Sequence, residues 1–339
     1  LIRYEKVIFV LLLALVSFTG CQKEEFTTDQ VLYLRHKGAD MPIYVAGESK
    51  SNVIILFLHG GPFTGAVLFE YWLKALRKKY VVALWEQRAV GSSSRKVDES
   101  TLNYEQYAED CSYVVKLLKQ QYPGTKIFLM GHSFGVELGW QYLTTRDWQN
   151  QVAGYIAVDG THSGFSYHYY QREWVLHKAQ ETNNQEAYQW ALAHPLTRAT
   201  LTDYDVDQLY AYMAELGGDE TKSFSPGLLL KRTFFSPAIL AGFVVNNVLT
   251  SQEFKEEKIN RPFKRFDKSA ALANITIPVG LFWGEKDGNV RIEVGRETYQ
   301  LLANSPKRFV TFPDSWHSPM VTKSEAFTRE TIDFIEYYR

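Results

Sequence analysis

The chain has 339 residues, enough for one large domain or two small ones around a sizeable core. Its 37 Lys and Arg nearly balance 38 Asp and Glu, for a net charge of −1, and it has two cysteines, Cys21 and Cys111. No basic face therefore points to nucleic acid, and no Cys/His cluster to a metal.

Arg3 and Lys6 precede an apolar run, Val7 to Phe18. The run has the length of a signal-peptide core and is too short for a comfortable membrane span. Phe18-Thr19-Gly20-Cys21 resembles the lipobox of bacterial lipoproteins, with Phe18 where Leu is usual. The resemblance implies that residues 1–20 are removed and that Cys21 is lipidated. Gln22-Lys23-Glu24-Glu25 resembles the acidic tag of Bacteroidetes surface lipoproteins. The implied location is the cell envelope, lipid-anchored at the outer membrane, with periplasmic and surface exposure both open. An ordinary signal peptide with a coincidental cysteine is the alternative.

Residues 21–29 read as a polar tether. Val31–Leu34 and Met41–Val45 flank Lys37-Gly38-Ala39-Asp40, a hairpin pattern. Val53–Leu58 and Val81–Trp85 are continuous apolar runs, expected of strands buried on both faces. Phe69–Lys78 reads as helical. Tyr104–Gln121 is amphipathic, stopped by Pro123-Gly124, with Cys111 on its apolar side as a core residue. Ile127–Met130 and Gly154–Val158 are further strands. Alternation breaks over 162–268, where helical patches such as Gln171–Ala193 predominate. It resumes with strand Val279–Trp283, helix Arg291–Leu302, strand Arg308–Phe312 and helix Lys323–Tyr338. This pattern predicts an α/β fold, a doubly wound and mostly parallel sheet, with a helical insertion after the sixth core strand. The predicted core comprises 30–161 and 269–339, and the cap 162–268.

Between strand Ile127–Met130 and helix Val136–Leu143 lies Gly131-His132-Ser133-Phe134-Gly135. Strand, G-x-S-x-G, helix is the pattern of a nucleophile elbow, although the pentapeptide also occurs in ordinary turns. A serine hydroxyl presented this way stands clear of the sheet on a tight, strained turn. Glycines at 131 and 135 remove side chains that would strike the neighbouring strand or helix.

Four further motifs occur along the chain. His59-Gly60-Gly61-Pro62 ends one core strand, Trp85-Glu86-Gln87-Arg88-Ala89-Val90-Gly91-Ser92-Ser93 ends the next, and Trp283-Gly284-Glu285-Lys286-Asp287 ends a late one. Ser315-Trp316-His317-Ser318-Pro319 precedes the last helix. With these residues the chain resembles the α/β-hydrolase superfamily, and within it the proline iminopeptidase-like branch, over nearly all of the mature chain except the middle block. The resemblance implies an α/β-hydrolase fold with a helical cap. It also implies a Ser133, Asp287, His317 triad and an oxyanion hole from the backbone N–H groups of Gly61 and Phe134. Phe63 and Ala89 stand where iminopeptidases usually have glycine, and Glu86 where they have aspartate. The loop carrying Arg88 is architectural in the family. Asp159 and Glu285 are rival acids to Asp287.

The implied chemistry is acyl transfer through Ser133, with neither metal nor organic cofactor required. The expected partner is a small-molecule or short-peptide substrate, and no nucleic acid. An aminopeptidase on small peptides is the leading expectation and a lipase-like carboxylesterase of small esters the alternative. A non-catalytic surface binding protein fits the motifs less well. Iminopeptidases bind the substrate amine with cap carboxylates, and here Glu173, Glu181, Glu186, Glu215, Asp219 and Glu220 are available. Aromatic residues around Tyr167 to Trp174 serve either as pocket lining or as packing.

Overall fold

A computed structural model describes residues 27–61, 65–93, 97–218, 257–258 and 261–339. The N-terminal targeting segment with Cys21, Pro62 and Phe63 of the first glycine loop, and Asp219 and Glu220 lie outside these residues. The described residues form one eight-stranded sheet, ordered β1-β2-β4-β3-β5-β6-β7-β8. The strands are β1 Thr28–His36, β2 Ala39–Gly47, β3 Val53–Leu58, β4 Val81–Trp85, β5 Lys126–His132, β6 Gly154–Val158, β7 Val279–Gly284 and β8 Lys307–Phe312. β1 and β2 form an antiparallel hairpin, and β2 joins β4 antiparallel. All other pairings are parallel. The fold is thus the α/β-hydrolase fold. Thr28 and Asp29, read from the sequence as part of a polar tether, belong to β1 and pair with Gly47 and Ala46.

β3 explains the two-sided core. Ile54, Leu56 and Leu58 enter one apolar cluster, while Val53, Ile55 and Phe57 enter the other. Successive side chains of a strand face opposite sides, so a strand covered by helices on both faces is apolar throughout. Helix α1 (Tyr104–Gln121) and helix α2 (Phe134–Leu143) contribute to the first cluster, through residues such as Val114, Leu118, Leu138 and Trp140. Leu73, Leu76, Phe327 and Phe334 contribute to the second. The expected helix at Phe69–Lys78 is a short α-turn, Glu70–Leu73, between two 3-10 segments.

Between β6 and β7 the chain forms helices α3 (Gly164–Glu181), α4 (Gln185–Ala193), α5 (Val206–Glu215) and α6 (Arg261–Arg265). The helical patch expected over Gln171–Ala193 is two helices. Asn183 turns left-handed at φ 56° and the Asn184 side chain accepts the Ala187 amide, capping a new helix. Val175, Ala179, Ala187, Leu209 and Met213 give this insert a small apolar core of its own. The core helices after β7 are α7 (Ile292–Leu301) and α8 (Ser324–Tyr338).

The loop after β4 is architectural. Arg88 is fully buried. It donates from Nε and Nη2 to the two Asp110 oxygens, both at 2.8 Å, and from Nη2 and Nη1 to the carbonyls of His36 and Lys37 at 3.1 Å. A bidentate buried pair with its remaining donors satisfied ties the β1–β2 turn, the β4 loop and α1 together. Glu86 accepts the Val67 amide at 3.0 Å, and burial pushes its carboxyl up to about 7. Cys111 is buried within the first cluster.

Candidate active site

β5 runs into α2 through Ser133, whose φ of 53° and ψ of −121° lie where few L-residues go. Such strain costs on the order of 1–3 kcal/mol and persists only where the surroundings enforce it. Here the Ser133 N–H donates to the Val158 carbonyl at 3.0 Å, and the Ser133 carbonyl accepts from the Val136 N–H at 2.8 Å. A Cβ at Gly135 would stand 1.9 Å from the Leu58 carbonyl oxygen, and one at Gly131 would stand 2.5 Å from that of Gly135. Both glycines are therefore required by close approach.

Asp287 follows β7 and is buried. Its Oδ1 accepts the amides of Asn289 and Val290 at 2.9 and 2.8 Å, and its Oδ2 lies 2.9 Å from His317 Nδ1. These three bonds orient the carboxylate and place the ring proton on Nδ1, leaving His317 Nε2 as an acceptor. Asn289 Nδ2 donates toward that atom at 3.3 Å. Tyr167 on α3 donates to Asn289 Oδ1 at 2.5 Å, and Gln171 Nε2 donates to the Asn289 carbonyl at 2.7 Å. The insert thus reaches the histidine through Asn289, a residue the sequence reading missed. Its position two residues beyond Asp287 was the available signal.

The rival carboxylates are engaged elsewhere. Asp159 ends β6 at φ 45°, fully buried, and its Oδ1 accepts the Gly284 amide at 2.9 Å. It ties the carboxyl ends of β6 and β7. Glu285 is exposed and accepts from Thr311 Oγ1 at 2.8 Å. His132, beside the serine, donates from Nε2 to the His317 carbonyl at 2.8 Å, joining the elbow to the histidine loop. Burial pushes its imidazole down to about 3, so it is neutral. His132, Asp159 and His317 each place one donor atom within 4.8 Å of the other two. They are the group of three among the described residues that could hold an ion, although Asp159 Oδ1 already takes the Gly284 amide.

A cavity of about 210 Å³ opens at the serine. Ser133, Gly61 and Phe134 line it together with Tyr104, Tyr107, Tyr167, Phe263 and Val290. Asn289 lines it too, while Asp287 and His317 are not part of its lining. Phe134 is the first residue of α2, so its N–H has no acceptor within the helix. Gly61 takes φ 56°, a left-handed turn that suits glycine. Glu137, one turn into α2, is a carboxyl in this largely apolar lining. It is 5% exposed and accepts a hydrogen bond from the Tyr104 hydroxyl. Desolvation pushes it up to about 8. The sequence reading passed over Glu137, although a lone acid in a largely apolar helix was a signal.

Four of the cap carboxylates offered by the sequence are described, and each has another partner. Glu173 pairs with Arg172, and Glu181 with Lys178 at 3.0 Å. Glu186 accepts from Tyr212 at 3.4 Å, and Glu215 from Asn184 at 2.7 Å. None of these four lines the cavity.

Residues 55–330 match the alpha/beta hydrolase family, and the chain belongs to it. It is a hydrolase of that family. Over 300 residues it is 23% identical to a probable aminopeptidase, YbaC, of Bacillus subtilis (strain 168), covering 84% of this chain and 89% of that protein. Among solved structures it resembles proline iminopeptidase from Mycobacterium smegmatis, with a TM-score of 0.59 and 15% identity over 91% of this chain and 98% of the other. An esterase from Thermogutta terrifontis is equally similar, with a TM-score of 0.59 and 16% identity over 91% of this chain and 99% of the other.

Proposed function

We propose that the protein is a serine hydrolase acting through an acyl-enzyme, and specifically an aminopeptidase on small peptides. The observation that carries this reading is the 2.9 Å contact between His317 Nδ1 and Asp287 Oδ2, taken with a cavity that Ser133 lines. In this mechanism Ser133 Oγ attacks the substrate carbonyl and His317 Nε2 takes its proton. The amides of Gly61 and Phe134 receive the developing oxyanion. His317 returns the proton to the leaving amine, whose bond to the acyl carbon breaks. Water, deprotonated by the same Nε2, then releases the acid and restores Ser133. Asp287 holds the tautomer and stabilises the imidazolium. The likeness to a probable aminopeptidase over most of both chains supports the peptide substrate.

A second reading, a carboxylesterase, is favoured by the engagement of the four described cap carboxylates with other partners. Anchoring through a lipidated Cys21 in the outer membrane is proposed on the sequence motif. A fluorophosphonate probe should label Ser133, and Ser133→Ala should lose labelling and several orders of magnitude of turnover while keeping its unfolding temperature. A variant that retains most of its turnover on every substrate overturns the nucleophile assignment. Parallel assay of a prolyl arylamide and a p-nitrophenyl ester separates peptidase from esterase.

A further inference from the structure

We infer that Glu137, presented with Tyr104 in the cavity wall, is the group that recognises a substrate's free α-amine. The site then takes a single N-terminal residue with an apolar side chain as its acyl group. The inference rests on the serine hydrolase reading and names the substrate class for the same cavity.

Glu137 lines the cavity, yet its residue surface is 95% buried. Its Oε2 takes the Tyr104 hydroxyl, and its Oε1 has no hydrogen-bond partner among the described residues. No described cation pairs with it. Lys258, a cationic residue of the same lining, lies near enough to Asp98 to lower that carboxyl. A carboxyl left half-satisfied in an apolar wall is costly unless something completes it. A ligand ammonium supplies both the missing donor and the opposite charge.

Position along α2 supports the same ligand. Glu137 lies four residues past Ser133, a rise of about 6 Å along the helix. In an acyl group on Ser133 Oγ, the α-amine sits two bonds from the oxygen-bearing carbon, on the side away from the leaving group. Glu137 and Ser133 line the same cavity, and the helix that carries Glu137 also carries the Phe134 amide. Tyr104 comes from α1, which packs on the same sheet face, so the pair rests on two rigid helices and not on the insert. Tyr107, Phe134 and Phe263 leave apolar space around the acyl group. At about 210 Å³ the cavity is below the usual 300–1,000 Å³ of ligand pockets, which suits one residue and not a long acyl chain. Desolvation raises this carboxyl to about 8, so near pH 7 the empty site is largely neutral and forming an ion pair with a ligand ammonium releases its proton.

The test compares the 4-nitroanilides of L-proline and of cyclopentanecarboxylic acid, which differ by NH against CH2. Full-length protein should favour the prolyl compound by at least about 100-fold in kcat/KM, because a site built around a polar group rejects the analogue that lacks it. Glu137→Gln and Glu137→Asp should each cut this preference by at least about tenfold. Thermal unfolding and circular dichroism report that each variant is folded. Wild-type protein that is labelled at Ser133 but hydrolyses both anilides equally overturns the amine site and leaves serine chemistry standing. A full prolyl preference in both variants also overturns it. Protein that neither labels nor turns over either anilide overturns both readings.

Discussion

The acid that serves His317 is a question at the scale of single residues. Asp287 and Asp159 are both buried at strand ends near the imidazole. They differ in what their oxygens do. Asp287 Oδ2 faces Nδ1 at 2.9 Å, with two backbone amides fixing its other oxygen. Asp159 spends Oδ1 on the Gly284 amide. Asp287→Asn would present an amide to the ring and favour the wrong tautomer, so kcat should fall roughly 10³–10⁴-fold. Asp159→Asn keeps an oxygen for the Gly284 amide and should lose less than about tenfold. Steady-state kinetics of the two variants on one substrate checks the assignment, and a larger loss at Asp159 reverses it. Asp287 and its histidine were legible as sequence motifs, whereas Asn289 and Glu137 were not. Their significance depends on facing one cavity from separate elements.

At the scale of elements, the β5–α2 turn concentrates the local constraints. The strand, the strained serine and the helix have to approach β3 so closely that the Gly135 Cα lies against the Leu58 carbonyl. Gly135→Ala forces a Cβ to 1.9 Å from that oxygen, and backbone is the atom that must yield. The expected cost is about 1–3 kcal/mol of stability, with loss of most turnover as the serine is displaced. Thermal unfolding and fluorophosphonate labelling read the two effects separately. An alanine variant with wild-type stability and labelling would show that the turn has room. Most other elements followed their patterns closely, the Phe69–Lys78 segment excepted. α1 spans Tyr104–Gln121 as the amphipathic period predicts, and β6 spans Gly154–Val158. The break between α3 and α4 was missed because Asn183-Asn184 is a weaker stop than Pro or Gly, and its effect comes from backbone geometry and a cap.

At the scale of the whole molecule, the hydrolase body and the proposed anchor are separate parts. No helix among the described residues is long and apolar enough to cross a membrane. Cys21 lies in the N-terminal segment outside them. If Cys21 carries the lipid, Cys21→Ala should move the protein from the membrane fraction to the soluble one, since two or more acyl chains hold where one is marginal. Fractionation after a carbonate wash is the measurement, and a variant still in the membrane pellet would count against lipidation. The α/β fold was determined by the sequence alone. Apolar runs buried on both faces and helices at regular intervals leave few alternatives to a parallel sheet covered on both sides. The Ser133, Asp287 and His317 motifs were likewise local, each tied to a strand end or the loop before a helix. Tertiary structure decided what surrounds them: that the four described cap carboxylates turn to other partners, that α3 reaches His317 through Asn289, and that Glu137 of α2 meets Tyr104 of α1 in one apolar wall. A pattern along the chain reports which face of an element is buried. It does not report which two buried faces meet, because that depends on helices packed side by side from distant parts of the chain.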